Sequence, residues 1–155
     1  MRLCLFQPDI PQNTGAAIRL TAGLGVPLDI VEPCGFPFDD TRMKRVAMDY
    51  DEKAVMQRHD SWENFLGYRA EFLPKSRLVL MTTKASMPYH EFEFQPDDIL
   101  IAGRESSGAP DYVHEMADAR VIVPIKTRSF NVIVASGIIL AEGLRQTEWR
   151  KQTKD

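Results

Sequence analysis

Only two cysteines occur, Cys4 and Cys34. They have neither metal-ligand spacing nor the count of a disulfide framework, so both read as reduced structural thiols. His59, His90 and His114 stand far apart without a Cys or carboxylate pattern, and no metal site is expected. Long apolar runs are also missing. The longest, around Val132 to Ala141, is about half of what a bilayer-spanning helix requires. At the amino terminus Gln7-Pro8-Asp9 cuts off Met1 to Phe6 before a signal-peptide core forms. These absences predict a soluble cytoplasmic protein with no membrane partner. Repeats, low-complexity tracts and Gly/Ser linkers are lacking too, and one domain over residues 1–155 is expected.

A large positive charge is likewise absent. The formal net charge of −3 excludes broad, sequence-blind coating of nucleic acid, which needs clustered Lys and Arg. Local patches remain: Arg42, Lys44 and Arg45 form one cluster and Lys126 and Arg128 another, each beside turn-like sequence.

What is present is the material of a globular core, with 44% hydrophobic residues. Short apolar runs alternate with helix-like stretches, the pattern of an α/β fold with a mainly parallel sheet flanked by helices. Strands are predicted at Leu3 to Phe6, Leu28 to Val31, Arg77 to Met81, Ile99 to Ala102 and Val121 to Ile125. Their apolar residues are continuous rather than alternating, which points to burial on both faces. Helices are predicted from Thr14 to Leu24 with Asn13 as cap, from Ser61 to Gly67, from Pro110 to Met116 and from Asn131 to Gln146. The last is apolar almost all round in its first half, so it needs partners on more than one side.

In parallel sheets, sites gather in the loops leaving the carboxyl ends of strands. Three such loops are unusual here: Gln7 to Gly15, leading into the helix that carries Arg19; Gly103 to Pro110; and Lys126 to Asn131. The second is glycine-rich, yet no Lys-Ser/Thr pair follows its last glycine, so it is not a Walker loop. No GxGxxG and no GxSxG elbow occurs either. From the residues alone, the sequence predicts a polar cleft holding Arg19, Glu105, Ser129 and Asn131.

Taken in order, Pro8-Asp9-Ile10-Pro11-Gln12-Asn13-Thr14-Gly15 with Arg19, Glu32-Pro33, Gly35-Phe36, Asp39-Asp40 with Arg42, Asp49-Tyr50, Thr82-Thr83-Lys84, Gly103 with Glu105, Gly108 and Pro110, Val123-Pro124, and Arg128-Ser129 with Asn131 resemble the SPOUT-superfamily tRNA wobble 2′-O-methyltransferases. The match runs from Leu3 to about Arg145. The resemblance implies a SPOUT-type α/β knot, in which the carboxyl-terminal part of the fold is threaded into a deep trefoil knot, and a homodimer. It implies S-adenosyl-L-methionine as cofactor, bound by Met81, Gly103, Val123, Ile125 and Ser129. Arg19, Glu105, Ser129 and Asn131 would serve catalysis. Asn13, Arg19, Arg42, Lys44, Arg45, Lys126 and Arg128 would contact the anticodon stem-loop of a tRNA substrate, whose wobble cytidine or carboxymethylaminomethyluridine is methylated on the ribose.

Arginine is always protonated, so Arg19 is expected to hold an RNA phosphate and stabilise developing alkoxide charge. Glu105 is expected to orient loop amides or Arg19, because an ordinary carboxylate is too weak a base for a sugar hydroxyl unless strongly desolvated. Asn131 fits a helix cap as well as a cofactor contact. The chain departs from the family at Ala141, where a Tyr is common, at Val132-Ile133-Val134, at Asp51 and at Arg104, where a Pro is common. Two rival readings stand beside this one: a 2′-O-methyltransferase for another tRNA or rRNA position, and a non-catalytic RNA- or cofactor-binding module.

Overall fold

A computed structural model describes residues 1–39, 41, 43 and 55–149. Of the expected RNA contacts, Arg42, Lys44 and Arg45 lie outside the described residues, as do Asp40, Asp49, Tyr50 and Asp51.

The strands are β1 (Arg2–Phe6), β2 (Leu28–Val31), β3 (Met56–His59), β4 (Leu78–Met81), β5 (Ile99–Ala102) and β6 (Ala119–Val121). Among the described residues the bounded α-helices are α1 (Pro11–Leu24), α2 (Trp62–Phe72), α3 (Asp111–Met116) and α4 (Val132–Leu144). All strand pairs are parallel, and the sheet order is β3-β2-β1-β5-β4-β6. Helices cover both faces, which explains the continuous apolar runs. Leu3 and Leu5 of β1, Val79 of β4 and Leu100 of β5 belong to one buried cluster with Ile18 of α1 and Ile139 and Leu140 of α4. Their strand neighbours Cys4, Phe6, Leu78, Leu80, Ile99 and Ile101 point the other way, onto Trp62 and Phe65 of α2 and Val113 of α3. Each such Leu or Ile, fully buried, contributes about 1.5–3 kcal/mol.

Among the described residues two carboxylates, Asp29 and Asp98, are fully buried. Asp29 of β2 accepts hydrogen bonds from Arg2 Nε at 2.8 Å and Arg2 Nη2 at 3.1 Å, and its Oδ1 lies 2.8 Å from His59 Nε2.

Several boundaries differ from the sequence expectation. Helix α1 starts at Pro11, not Thr14, and Ile10 rather than Asn13 occupies the cap position without a side-chain bond. Proline at the first helical position has its φ preset and no N–H to satisfy, which frees Asn13 for other contacts. Gly25 ends the helix at φ 68°, a left-handed stop that glycine adopts without a Cβ penalty. The last helix is α4, capped by Asn131, whose side chain accepts from the amides of Ile133 and Val134. A π-helical turn, Arg145–Trp149, follows it. The last strand is Ala119–Val121 rather than Val121 to Ile125, and β3 was not expected at all. Gly137 lies against Leu20, with 3.5 Å from an ideal Cβ to Leu20 Cδ1, so α1 and α4 approach closely. No described helix is long and apolar enough to cross a membrane.

Candidate active site

The winding of the chain changes between β1 and β5: the chain runs outward from β1 through β2 to β3 on one side, then crosses to β4, returns inward to β5 and ends at β6 on the other. Loops diverge at such a point and leave a crevice at the carboxyl ends of the strands. A cavity of about 450 Å3 occupies that place, within the size range of small-molecule sites. Its walls come from the loops after β1, β4, β5 and β6 and from the start of α4.

The loop after β5 folds back on itself. The amide of Gly108 donates to the carbonyl of Arg104 at 2.8 Å and the Arg104 amide to the Gly108 carbonyl at 3.2 Å, with Gly108 at φ 70°. A Cβ on Gly103 would stand 2.5 Å from the Ala109 nitrogen and 2.6 Å from the Gly108 carbonyl carbon. Both are backbone atoms that cannot yield. Only glycine fits there, and the loop backbone is left bare against the cavity.

A chain of polar contacts crosses the floor. The Asp9 amide donates to Glu105 Oε2 at 2.8 Å, and Asn13 Nδ2 to Glu105 Oε1 at 3.4 Å. Asn131 Nδ2 then donates to Asn13 Oδ1 at 3.0 Å. Ser106 donates its hydroxyl to Asp9 Oδ2, and Arg104 Nε lies 3.6 Å from the same oxygen. The neighbouring Glu105 carboxyl, with help from Ser106 and Arg104, holds Asp9 down to about 2. Burial, then Asp9, pushes Glu105 above the usual carboxylate range. At the other end, Thr82, Thr83, Lys84 and His114 line the wall, and burial together with Lys84 and Arg120 lowers His114.

The structure brings together Met81, Gly103, Val123, Ile125 and Ser129 with Asn13, Glu105 and Asn131 on one cavity. Arg19 is not on its wall. Lys126 and Arg128 are exposed and outside the lining. Val123 and Ile125, read as strand residues, lie past the end of β6 and are cavity walls, while Ile122 bridges to Pro88 instead. Asp9, quoted in its string, Arg104, noted as a departure, and Ser106 carried no assigned part because nothing local links them; the Asp9-to-Glu105 contact spans 96 positions. Lys84 was visible within its Thr-Thr-Lys string but carried no assigned part. Among the described residues, no group of three or more His, Cys, Asp or Glu could hold a metal ion.

A protein from Beijerinckia indica named tRNA (cytidine(34)-2′-O)-methyltransferase is 51% identical, covering 93% of this chain and 90% of its own. One of the same name from Ancylobacter novellus is 45% identical, covering 95% and 93%. A structure solved in a study of 2-OH methylation of C/U34 on tRNA superposes with a TM-score of 0.85 at 33% identity, covering 94% of both chains. The SpoU methyltransferase AviRb from Streptomyces viridochromogenes, solved with the cofactor AdoMet, shares the fold with a TM-score of 0.82 at 22% identity, covering 94% of this chain and 60% of its own. With residues 1–141 matched as well by the family described as SpoU rRNA methylases, the chain belongs to the SpoU methylase family.

Proposed function

We propose that this protein transfers the methyl group of S-adenosylmethionine to the ribose 2′-oxygen of the tRNA wobble nucleotide, a cytidine or carboxymethylaminomethyluridine. The observation that carries the reading is the convergence of four loops on one cavity that joins apolar walls to Asn13, Glu105, Ser129 and Asn131. Relatives bearing the name of that activity match nearly the whole chain at 51% and 45% identity. The family description speaks of rRNA, but fold alone does not choose a substrate, and these whole-length relatives favour tRNA.

The residues present suit the cofactor. Bare loop backbone at Gly103 offers hydrogen bonds at close range. Met81, Val123 and Ile125 supply apolar contact for an adenine, and Ser129 a polar edge. When bound, the cofactor supplies a methyl group already activated by its sulfonium. The protein's task is then alignment of the ribose oxygen and care of its proton. Asn13, Glu105 and Asn131 fix the wall where the ribose must lie. Arg19 grips an RNA phosphate and stabilises charge developing on the oxygen. Lys126 and Arg128, with Arg42, Lys44 and Arg45, hold the anticodon stem-loop.

The reading includes a single domain, the trefoil-knotted threading that the resemblance implies, a cytoplasmic location and a homodimer. Val134 is 52% exposed, Phe130 45% and Ile10 40%, and a second copy seated on α1 and α4 covers them. Transfer of a labelled methyl group into unfractionated RNA, followed by mapping of the modified nucleotide, tests the proposal. Label at the wobble ribose is expected. Label at another tRNA or rRNA position corrects the substrate, and donor binding without incorporation points to a non-catalytic module.

A further inference from the structure

We propose that Asp9 is a positioning residue for methyl transfer: clamped by Arg104 and Ser106, it holds the Glu105 carboxylate at the cavity wall, where Glu105 takes the proton of the ribose hydroxyl. This rests on the methyltransferase reading above and names a proton acceptor for it.

Asp9 has little freedom. Its carboxylate accepts the Ser106 hydroxyl and pairs with Arg104, whose Nη1 also reaches Gln7 Oε1 at 3.5 Å. Above it, a Cβ on Gly35 would stand 2.5 Å from Asp9 Cβ, and the Gly35 amide donates to the Pro8 carbonyl at 2.9 Å. Asp9 Oδ1 is itself buried. From this fixed seat the Asp9 amide grips Glu105 Oε2. Glu105 Oε1 faces Asn13. A carboxylate has about four acceptor sites, and these contacts leave lone pairs on Glu105 for a substrate hydroxyl.

Two carboxyl groups sharing one site are driven apart in proton affinity, and such divergence assigns acid and base roles. Asp9 remains ionised down to about 2, while Glu105 is raised by burial and by Asp9. The other groups facing Glu105 are Arg104 on its own loop, the uncharged Asn13 on α1, and the Cys34 thiol from the loop after β2, which burial pushes up to about 11 and so keeps neutral. A carboxylate with raised proton affinity is a better acceptor near neutral pH than an ordinary one. In the step itself the ribose O–H bond breaks and its proton passes to Glu105. The O–CH3 bond forms as the S–CH3 bond breaks, the electron pair staying on sulfur and cancelling its positive charge. Glu105 then releases the proton to solvent.

The test compares wild type, Glu105→Gln and Asp9→Asn by donor binding, by single-turnover transfer to an anticodon stem-loop across pH, and by carboxyl NMR titration of Glu105 in the donor-free protein. Glu105→Gln should bind donor within about threefold of wild type and lose transfer by on the order of 100-fold. Asp9→Asn removes a negative neighbour, which lowers the Glu105 pKa. Both the acidic limb of the rate profile and the Glu105 titration should therefore move down by roughly one pH unit. Wild-type turnover in Glu105→Gln overturns the acceptor role. A slower Asp9→Asn with limb and titration unmoved overturns the positioning role. Should Glu105→Gln fail to fold, the Asp9→Asn measurements decide alone. If wild type methylates no RNA, the functional reading fails, whereas the NMR titration still judges the carboxyl pair.

Discussion

Asn131 donates its side-chain amide to Asn13 Oδ1 over 3.0 Å, tying together segments 118 residues apart. The oxygen of the same side chain caps α4 through the amides of Ile133 at 2.9 Å and Val134 at 3.3 Å. One residue thus starts the last helix and sets its distance from the first. Through Asn13 the link continues to Glu105.

These two duties separate by mutation. Asn131→Ala loses the cap, at a cost of about 1 kcal/mol, and also the link to Asn13. Asn131→Asp keeps an oxygen for the cap but has no amide to donate. Thermal unfolding should show the alanine variant destabilised and the aspartate variant near wild type, while methyl transfer falls in both. Full transfer in Asn131→Asp would show that the link to Asn13 is dispensable.

Glycine at position 103 is a steric requirement, whereas at position 67 it is not. A Cβ at Gly103 meets the backbone of Ala109, whereas Gly67, inside α2, has nothing within 4 Å of an ideal Cβ. Gly103→Ala should abolish donor binding measured by calorimetry. Gly67→Ala should stabilise the protein by about 0.5–1 kcal/mol, the difference in helix propensity, with donor affinity unchanged.

Arg19 stands on α1, away from the cavity wall. Arg19→Ala is therefore expected to bind donor like wild type and to lose methyl transfer by on the order of 100-fold. Turnover at the wild-type rate would remove Arg19 from the mechanism.

Asp29 receives Arg2 and His59 in a fully buried setting. Replacing it by Ala leaves the partly buried Arg2 charge without its counterion, which costs about 3–5 kcal/mol. Urea unfolding of Asp29→Ala should show a loss of that size, and a change below about 1 kcal/mol would mean that water replaces the carboxylate.

The central strands were legible because burial on both faces demands largely apolar sequence, as in Leu78–Met81 and Ile99–Ala102. Strand β3 was not, since Gln57 and Arg58 of Met56–His59 are exposed on the sheet edge and carry no apolar signal. The run after Val121 misled for the opposite reason: Val123 and Ile125 are apolar because they wall a cavity, not because they pair. Asn13 looked like a cap because the cap preference is local, yet Pro11 won that contest and released it. The cavity residues Glu105, Ser129 and Asn131 were reached from their loops, whereas Met81 and Gly103 were reached as cofactor contacts through the resemblance. The pairing of Asp9 with Arg104 and Ser106 joins distant stretches, and no periodicity encodes it.

Strand β1 pairs with β5, Cys4 opposite Ile101, so the middle of the sheet joins one segment to another synthesised much later. A nascent chain still on the ribosome has no floor for the cavity until β5 emerges, and no far wall until Asn131 follows it. Amino-terminal fragments released early therefore lack most of the donor cavity and are expected to transfer no methyl group.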